Sequence, residues 1–221
     1  MLPVYVGYDE REAVAYHTFS NSIIRRATRP VSFCPLALNT LHEYEEKHTD
    51  GSNAFIYSRF LVPHLQNYEG WALFADGDMI VNEDIAKLFD LADETKAVMV
   101  VKHDYKTRFP RKYLGNKNED YPRKNWSSVI LWNCGHPKNK ILTPEYIQQA
   151  SGALLHRFQW LDDGDIGQLK HAWNWLVSEY SYNPSAKLLH YTVGTPCFQE
   201  YADCEHADQW YSEYEKARAP L

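Results

Sequence analysis

The sequence predicts an α/β protein in a single domain, with a mixed, mainly parallel sheet and flanking helices. Three observations carry this expectation. The chain opens as strand, loop, helix and strand; short apolar runs recur between helical patterns; and 221 residues, 44% hydrophobic and 24% charged, suit one core of ordinary globular composition.

Val4-Tyr5-Val6 reads as the first strand and Gly7-Tyr8-Asp9 as the loop after it. Val14, Phe19, Ile23 and Ile24 then fall on one side of a helix, and Asp9 with Glu12 has the form of a capping box at its start. Arg29-Pro30 ends that helix, and Val31-Ser32-Phe33-Cys34 is the next strand. A second helix is expected over 52–65, with Phe55, Ile56, Phe60 and Leu61 as its apolar stripe and Pro63 bending or ending it. Trp71 to Ala75 is a buried strand that stops at Asp76-Gly77-Asp78. Asp84 caps a short helix through Leu88, and Ala97 to Val101 is a further strand. Ser127 to Trp132 is another strand; Thr143-Pro144 opens a helix that Gly152 closes. Ala186 to Thr192 is the last strand, and 207–221 forms a C-terminal helix docked through Trp210, Tyr211 and Tyr214.

Residues 102–124 differ in character. Lys102, Lys106, Arg108, Arg111, Lys112, Lys117, Arg123 and Lys124 face only Asp104, Glu119 and Asp120, in a chain whose net charge is -6. With Pro110, Gly115 and Pro122, the segment reads as a long irregular loop, a length that suits a functional role. Tyr105, Tyr113 and Tyr121 are interleaved with the cations, so the loop is expected to act as a lid, stacking on sugar or base while its cations meet phosphate.

The acidic balance, with a pI near 5.9, argues against general nucleic-acid binding, which needs a basic surface. Met1 to Val6 carries no basic leader, and no apolar run reaches the ~20 residues of a membrane span, so a cytoplasmic protein without an integral membrane segment is expected. Cys34, Cys134, Cys197 and Cys204 form no CxxC pair and read as reduced thiols.

The chemistry centres on Asp76-Gly77-Asp78. Two carboxylates at the C-terminal end of a parallel strand lie where α/β folds bind ligands, and together they can hold a hard divalent cation whose other positions go to phosphate oxygens and water. The alternative is a solvated Asp-Gly turn, against which stand the apolar strand before it and Ile80-Val81 after it.

Tyr57 to Pro63, Trp71 to Asp78, and Asp84 to Leu88 resemble the YxR, DxD and following-helix segments of the glycogenin-like family-eight glycosyltransferases, and matches continue in order from Val4 to about Phe198. The resemblance implies a GT-A, Rossmann-like fold and a metal-dependent transfer of a hexose from a nucleotide-diphosphate sugar, UDP-linked with Mn²⁺ (or Mg²⁺), to a glycan or other hydroxyl-bearing acceptor with retention. It implies Asp76, Asp78 and His190 as metal ligands. Gly7, Tyr8, Asp9 and Arg11 would meet the nucleotide, and Arg59 the phosphates or the first Asp. Gly77 belongs to the donor-binding turn. Trp126 and Ser127 resemble part of the Asn-Ser-Gly strand that touches the donor sugar, with Asn125 one place early. Asp162, Asp163 and Asp165, in Leu161-Asp162-Asp163-Gly164-Asp165-Ile166-Gly167, resemble the Asp-Gly-Gly-Asp-Gln-Gly loop beside the transferred sugar. Asp162, Asp165 and Arg59 thereby become the implied catalytic residues. Gly194 follows His190 as in His-x-x-Gly, displaced by one.

This chain departs from the family in two places. Ile166 stands where the family has Gln, and the Lys that usually follows the His-x-x-Gly is absent, which leaves the basic loop to supply that charge or phosphate binding weaker. Two rivals remain at this level. One is a DxD phosphatase of haloacid-dehalogenase type, although Ile80 occupies its usual Thr position; the other is a non-catalytic sugar-nucleotide-binding module. No motif singles out the sugar, the acceptor or an oligomeric state.

Overall fold

The computed structural model describes residues 1–218. Nine strands follow in chain order: β1 (Leu2–Gly7), β2 (Val31–Leu36), β3 (Trp71–Ala75), β4 (Met79–Val81), β5 (Val98–Val101), β6 (Val129–Asn133), β7 (Ile166–Leu169), β8 (Trp175–Leu176) and β9 (Leu188–His190). The helices are α1 (Ala13–Ile24), α2 (Val62–Leu65), α3 (Ala86–Phe89), α4 (Pro144–Gln149), α5 (Gly152–His156) and α6 (Ala207–Arg218). No helix among the described residues is long and apolar enough to cross a membrane.

Six strands form one sheet in the order β2-β1-β3-β6-β5-β7. All run parallel except β6, which is antiparallel to both of its neighbours. Both faces are covered, which is why the central strands read as continuous apolar runs rather than alternations. On one face Tyr5, Phe74, Ile130 and Trp132 pack with Phe55, Phe60 and Leu61 and with residues of α4 and α5. On the other, Val4, Val6, Leu73 and Leu131 pack with Phe19 and Ile23 of α1. A smaller sheet, β4-β9-β8, shares an apolar cluster with Trp210 of α6.

Several expectations change. The segment 52–57 is turns rather than helix; regular structure begins with a 3-10 turn at Ser58–Leu61, and Pro63 sits in the first turn of α2, where its missing N–H costs nothing. No capping box forms at α1. Asp9 accepts from the backbone N–H of Arg11 and closes the 3-10 turn Glu10–Glu12, so Glu12 becomes the residue before α1 and makes no cap hydrogen bond. Gly152 does not close a helix: α4 stops at Gln149, and Ser151 caps a new helix, α5, that Gly152 opens. Trp126 to Ser128 is a 3-10 turn ahead of β6. Short strands β7 and β8 carried no clear sequence signal. In α6, Trp210 is buried, Tyr211 is partly exposed and donates its hydroxyl to the Pro196 carbonyl at 2.9 Å, and residues 219–221 of the expected terminal helix lie outside the described residues.

Candidate active site

The site forms where β1 and β3 end and β6 begins. Asp76 and Asp78 follow β3, and the antiparallel pairing of β4 with β9 sets His190 opposite Met79, directly beside Asp78. A hydrogen bond of 2.9 Å from the Tyr191 N–H to the Asp78 carbonyl locks that register. Gly77 is required here: a Cβ on it would lie 2.4 Å from the Gly7 carbonyl oxygen, so the turn can close onto the end of β1 only without a side chain. His190 Nε2 lies 3.3 Å from Asp78 Oδ1 and 3.9 Å from Asp76 Oδ2. One ligand atom from each of the three residues falls within 4.8 Å of the others, and all three are buried.

The residues fit a divalent cation. Asp78 Oδ1 is buried with no hydrogen-bond partner, a costly arrangement unless an ion satisfies it. Burial first, and then the Asp78 charge, push the Asp76 carboxyl up to about 6, against the opposing pull of Arg59. Protons therefore compete with metal there. Apparent Mn²⁺ affinity is expected to hold above pH 7 and to fall as pH drops through about 6, by up to about tenfold per pH unit for each proton displaced, a trend that calorimetric titration across that range would check. In the metal-free protein the same raised carboxyl favours the fold at low pH, and that contribution is lost as pH rises through about 6.

Two buried residues orient the ligands. Arg59, from the 3-10 turn, brings Nη1 to 2.8 Å from Asp76 Oδ1 and donates to the carbonyls of Ser127 at 2.9 Å and Ile56 at 3.1 Å. Its guanidinium lies over the rings of Phe74 and Phe55. Asn174, fully buried just ahead of β8, places Oδ1 3.0 Å from His190 Nδ1 and donates through Nδ2 to Ser128 Oγ at 2.8 Å. Those Nδ2 contacts leave Asn174 Oδ1 to accept from the Nδ1–H, so a neutral ring turns its Nε2 lone pair toward the carboxylates, the tautomer a metal ligand needs. Asn174→Ala is expected to weaken Mn²⁺ binding by roughly 10- to 100-fold, the usual cost of losing such a support. Equal Mn²⁺ affinity in the variant and the parent would remove Asn174 from this role.

The remaining walls come from four places. Ser127 Oγ contacts His156 Nδ1 at 2.7 Å. Burial, reinforced by the Arg59 and Lys112 cations, holds His156 well below the usual imidazole range, so it stays neutral. Asn125, in a left-handed conformation, donates to Tyr105 Oη at 2.9 Å and lies 3.3 Å from Thr192 Oγ1. Lys112, Tyr113 and Tyr121 of the basic segment close the side toward solvent. Next to this cavity, and sharing Asn53 with it, lies a cleft of about 660 Å³ lined by Tyr8, Asp9, Arg11, Leu38, Asn39 and Ala54 among others. Asp9 and Arg11 form a close ion pair at its rim; burial would raise the Asp9 carboxyl, but the Arg11 and backbone hydrogen bonds outweigh it and hold it below its ordinary value.

Other expected site residues lie elsewhere. Asp162, Asp163 and Asp165 precede β7, which runs parallel to β3, so they stand at the opposite edge of the sheet from Asp76. There Asp162 and Asp165 each contact Lys138 at 2.6 Å, and Asp163 pairs with Arg123. Trp126 also turns away from the cavity, donating its indole N–H to the His103 carbonyl at 2.8 Å, and Asn125 and Ser127 on either side face inward instead. Gly194 is a packing glycine: a Cβ there would lie 2.2 Å from the Tyr201 ring. Lys112, Asn174, His156 and Thr192 were missed. Of these only Lys112 had a signal, as one of eight cations in the basic segment.

The model of glycosyl transferase family 8 matches residues 3–195, most of the chain. The protein belongs to this family. It is therefore a glycosyltransferase of the nucleotide-sugar class, which sets aside the phosphatase and the non-catalytic binding module. A curated relative, Protein CDI of Arabidopsis thaliana, is 44% identical over 222 residues, covering 96% of this chain and 86% of that protein. The fold is the GT-A fold of solved glycosyltransferases. It resembles WbbM, described as bifunctional, with a TM-score of 0.68 at 15% identity over 96% of this chain, and GlyE of Streptococcus pneumoniae with 0.58 at 15% over 97%. This family 8 chain spans about half the WbbM chain (49%) and 61% of GlyE. Against the galactosyltransferase LgtC, solved with donor and acceptor sugar analogs, it covers 100% of this chain and 98% of that one, with a TM-score of 0.54 at 11% identity.

Proposed function

We propose that this family 8 enzyme moves a hexose from a UDP-sugar to a glycan or other hydroxyl-bearing acceptor, using Mn²⁺ or Mg²⁺ and retaining the anomeric configuration. The observation that carries the reading is the buried Asp76–Asp78–His190 cluster, opening onto a nucleotide-sized cleft at the end of β1. Asp76, Asp78 and His190 would hold the ion. Bound there, a divalent cation supplies Lewis-acid charge to the donor diphosphate as the sugar departs.

The protein's own residues would do the rest. Gly7, Tyr8, Asp9 and Arg11 take the nucleoside in the cleft, with Arg11 free on its outer side to lie along the base. Arg59 fixes Asp76 and adds positive charge at the diphosphate. Asn125, Ser127 and Thr192 face the sugar with amide and hydroxyl groups. Among the described residues lining this cavity Asp76 and Asp78 are the carboxylates, and the neighbouring Glu12 carboxyl, pushed up to about 9 by burial first and then by the Asp78, Asp9 and Asp76 charges, is protonated and no base, so the acceptor's proton is assigned to the departing phosphate. Four free thiols favour a reducing, cytoplasmic setting.

The test is a panel of nucleotide sugars incubated with the enzyme, with and without Mn²⁺, scored by nucleoside diphosphate released to water or to added glycosides. Release of UDP from a UDP-hexose, dependent on the metal, is expected. Turnover of a non-uridine donor alone, or turnover unaffected by chelation, would overturn the reading.

A further inference from the structure

The chain has no lysine after His190. Val193 to Phe198, the segment that follows, holds no cation at all. The basic segment 102–124 is laid against this gap and is held at two points. At its root, the buried Glu179 carboxylate accepts from Thr107 Oγ1, from the Arg108 N–H at 2.7 Å and from Asn118 Nδ2 at 3.0 Å. At its tip, Arg111 bridges to Lys117 and the Lys112 N–H donates to the Asn116 carbonyl at 2.9 Å, closing a turn through Leu114 and Gly115, both in the left-handed region. That turn is docked through Tyr113. Its N–H donates to the Val193 carbonyl at 2.7 Å, and its ring, buried, stacks on Phe198 with centroids 5.5 Å apart.

The docking aims one side chain inward. Of the eight cations in the segment, Lys112 alone lines the cavity with Arg59, Asp76, Asp78 and His190. Six of the others make contacts elsewhere: Lys117 pairs with Glu119, Arg123 with Asp163, Lys124 donates to Asn118, Lys102 lies over Trp126, and Arg108 and Arg111 donate to the carbonyls of Ser178 and Gly115. Among the described residues Lys112 makes no ion pair within 4 Å, so it shares the cavity with the Asp76 and Asp78 carboxylates without pairing to them. A cation held in that way is available to a second anion.

We propose that Lys112 is a diphosphate-binding residue of the donor site, delivered by the turn 111–117, which docks on the Val193–Phe198 segment and supplies the positive charge that segment lacks. The inference rests on the nucleotide-sugar reading of the site and deepens it. It makes a prediction of opposite signs. An ammonium beside Asp76 and Asp78 repels a metal ion that arrives alone, but attracts the diphosphate that arrives with it.

The test compares Lys112→Ala, Lys112→Arg and, on the outer face of the same turn, Lys117→Ala by calorimetric titration with Mn²⁺ alone, with UDP in saturating Mn²⁺, and with uridine. Lys112→Ala is expected to weaken UDP binding by about tenfold or more, the range of a charge-assisted contact, while Mn²⁺ alone binds at least as tightly as in the parent and uridine binds equally. Lys112→Arg should keep most of the UDP affinity, and Lys117→Ala all of it. UDP binding by Lys112→Ala within about twofold of a parent that does bind it would overturn the proposal and leave the donor reading intact, as would a parallel loss of Mn²⁺ and uridine affinity. A parent that binds no UDP in Mn²⁺ would overturn both.

Discussion

Asp78→Asn is expected to lower metal-dependent turnover of the donor by about 10³-fold or more, since a Lewis acid contributing several kcal/mol to the transition state is lost with its ligand. The fold should not suffer. The Asp78 carboxylate is buried, its Oδ1 has no hydrogen-bond partner, and His190 Nε2 lies 3.3 Å from it. Burial disfavours the Asp78 charge, but the neighbouring His190 and Lys112 outweigh it and hold the carboxyl below its ordinary value, so Asp78→Asn sheds a desolvation cost and a favourable charge contact together. Two readings of one experiment follow. Without metal, the variant's melting temperature should stay close to that of the parent, the two effects opposing each other; with Mn²⁺, the parent's should rise and the variant's should not. A variant that melts well below the parent in chelator would mean that Asp78 serves the core rather than an ion.

Arg59→Ala should have the largest effect on stability, roughly 3–5 kcal/mol, because it strands the buried Asp76 carboxylate. It also removes the donors to the Ser127 and Ile56 carbonyls and the packing between Phe55 and Phe74. The pH dependence identifies the cause. Asp76 already has a folded-state carboxyl raised above its ordinary value, and loss of Arg59 raises it further. A raised carboxyl favours folding below its unfolded value and forfeits that as pH rises through the folded one, so the variant should be penalised more at pH 8 than at pH 5. Arg59→Lys should recover the charge but not the forked contacts or the ring packing. Denaturant unfolding of the three proteins at both pH values measures this; an equal penalty at both would assign the loss to packing alone.

The fold and the Asp76–Asp78 pair were legible because their signals are local and strong. Trp71 to Ala75 is apolar without interruption, and carboxylates that end such a strand lie at one defined edge of a parallel sheet. His190 was legible only through the family resemblance, since between Leu189 and Tyr191 it reads as a core histidine, and β4–β9 pairing is what carries it across. The acidic residues 162–165 failed for the converse reason. A short acidic loop looks alike whether it follows a strand or precedes one, and Ile166 to Leu169 is too brief, with Gly167 and Gln168 inside it, to announce a strand. The direction of β7 decides which edge these carboxylates occupy, and they ended on Lys138 (Asp162, Asp165) and Arg123 (Asp163). Asn174 was illegible altogether: between Trp173 and Trp175 it belongs to no motif, and its role comes from the packing of β8 against β9. Residues 52–57 misled because an apolar stripe at helical spacing also suits irregular chain that buries Phe55 against Gly7.

On the proposed function, Asp76, Asp78 and His190 Nε2 hold one divalent ion on the donor diphosphate. Crystals grown with UDP and Mn²⁺ and measured at the manganese absorption edge test it directly. One anomalous peak is expected at about 2.1–2.2 Å from a carboxylate oxygen of Asp76, one of Asp78 and His190 Nε2, with its other positions taken by diphosphate oxygens and water. An anomalous peak at another site, or UDP bound in the cleft with no ion between these three residues, would contradict it.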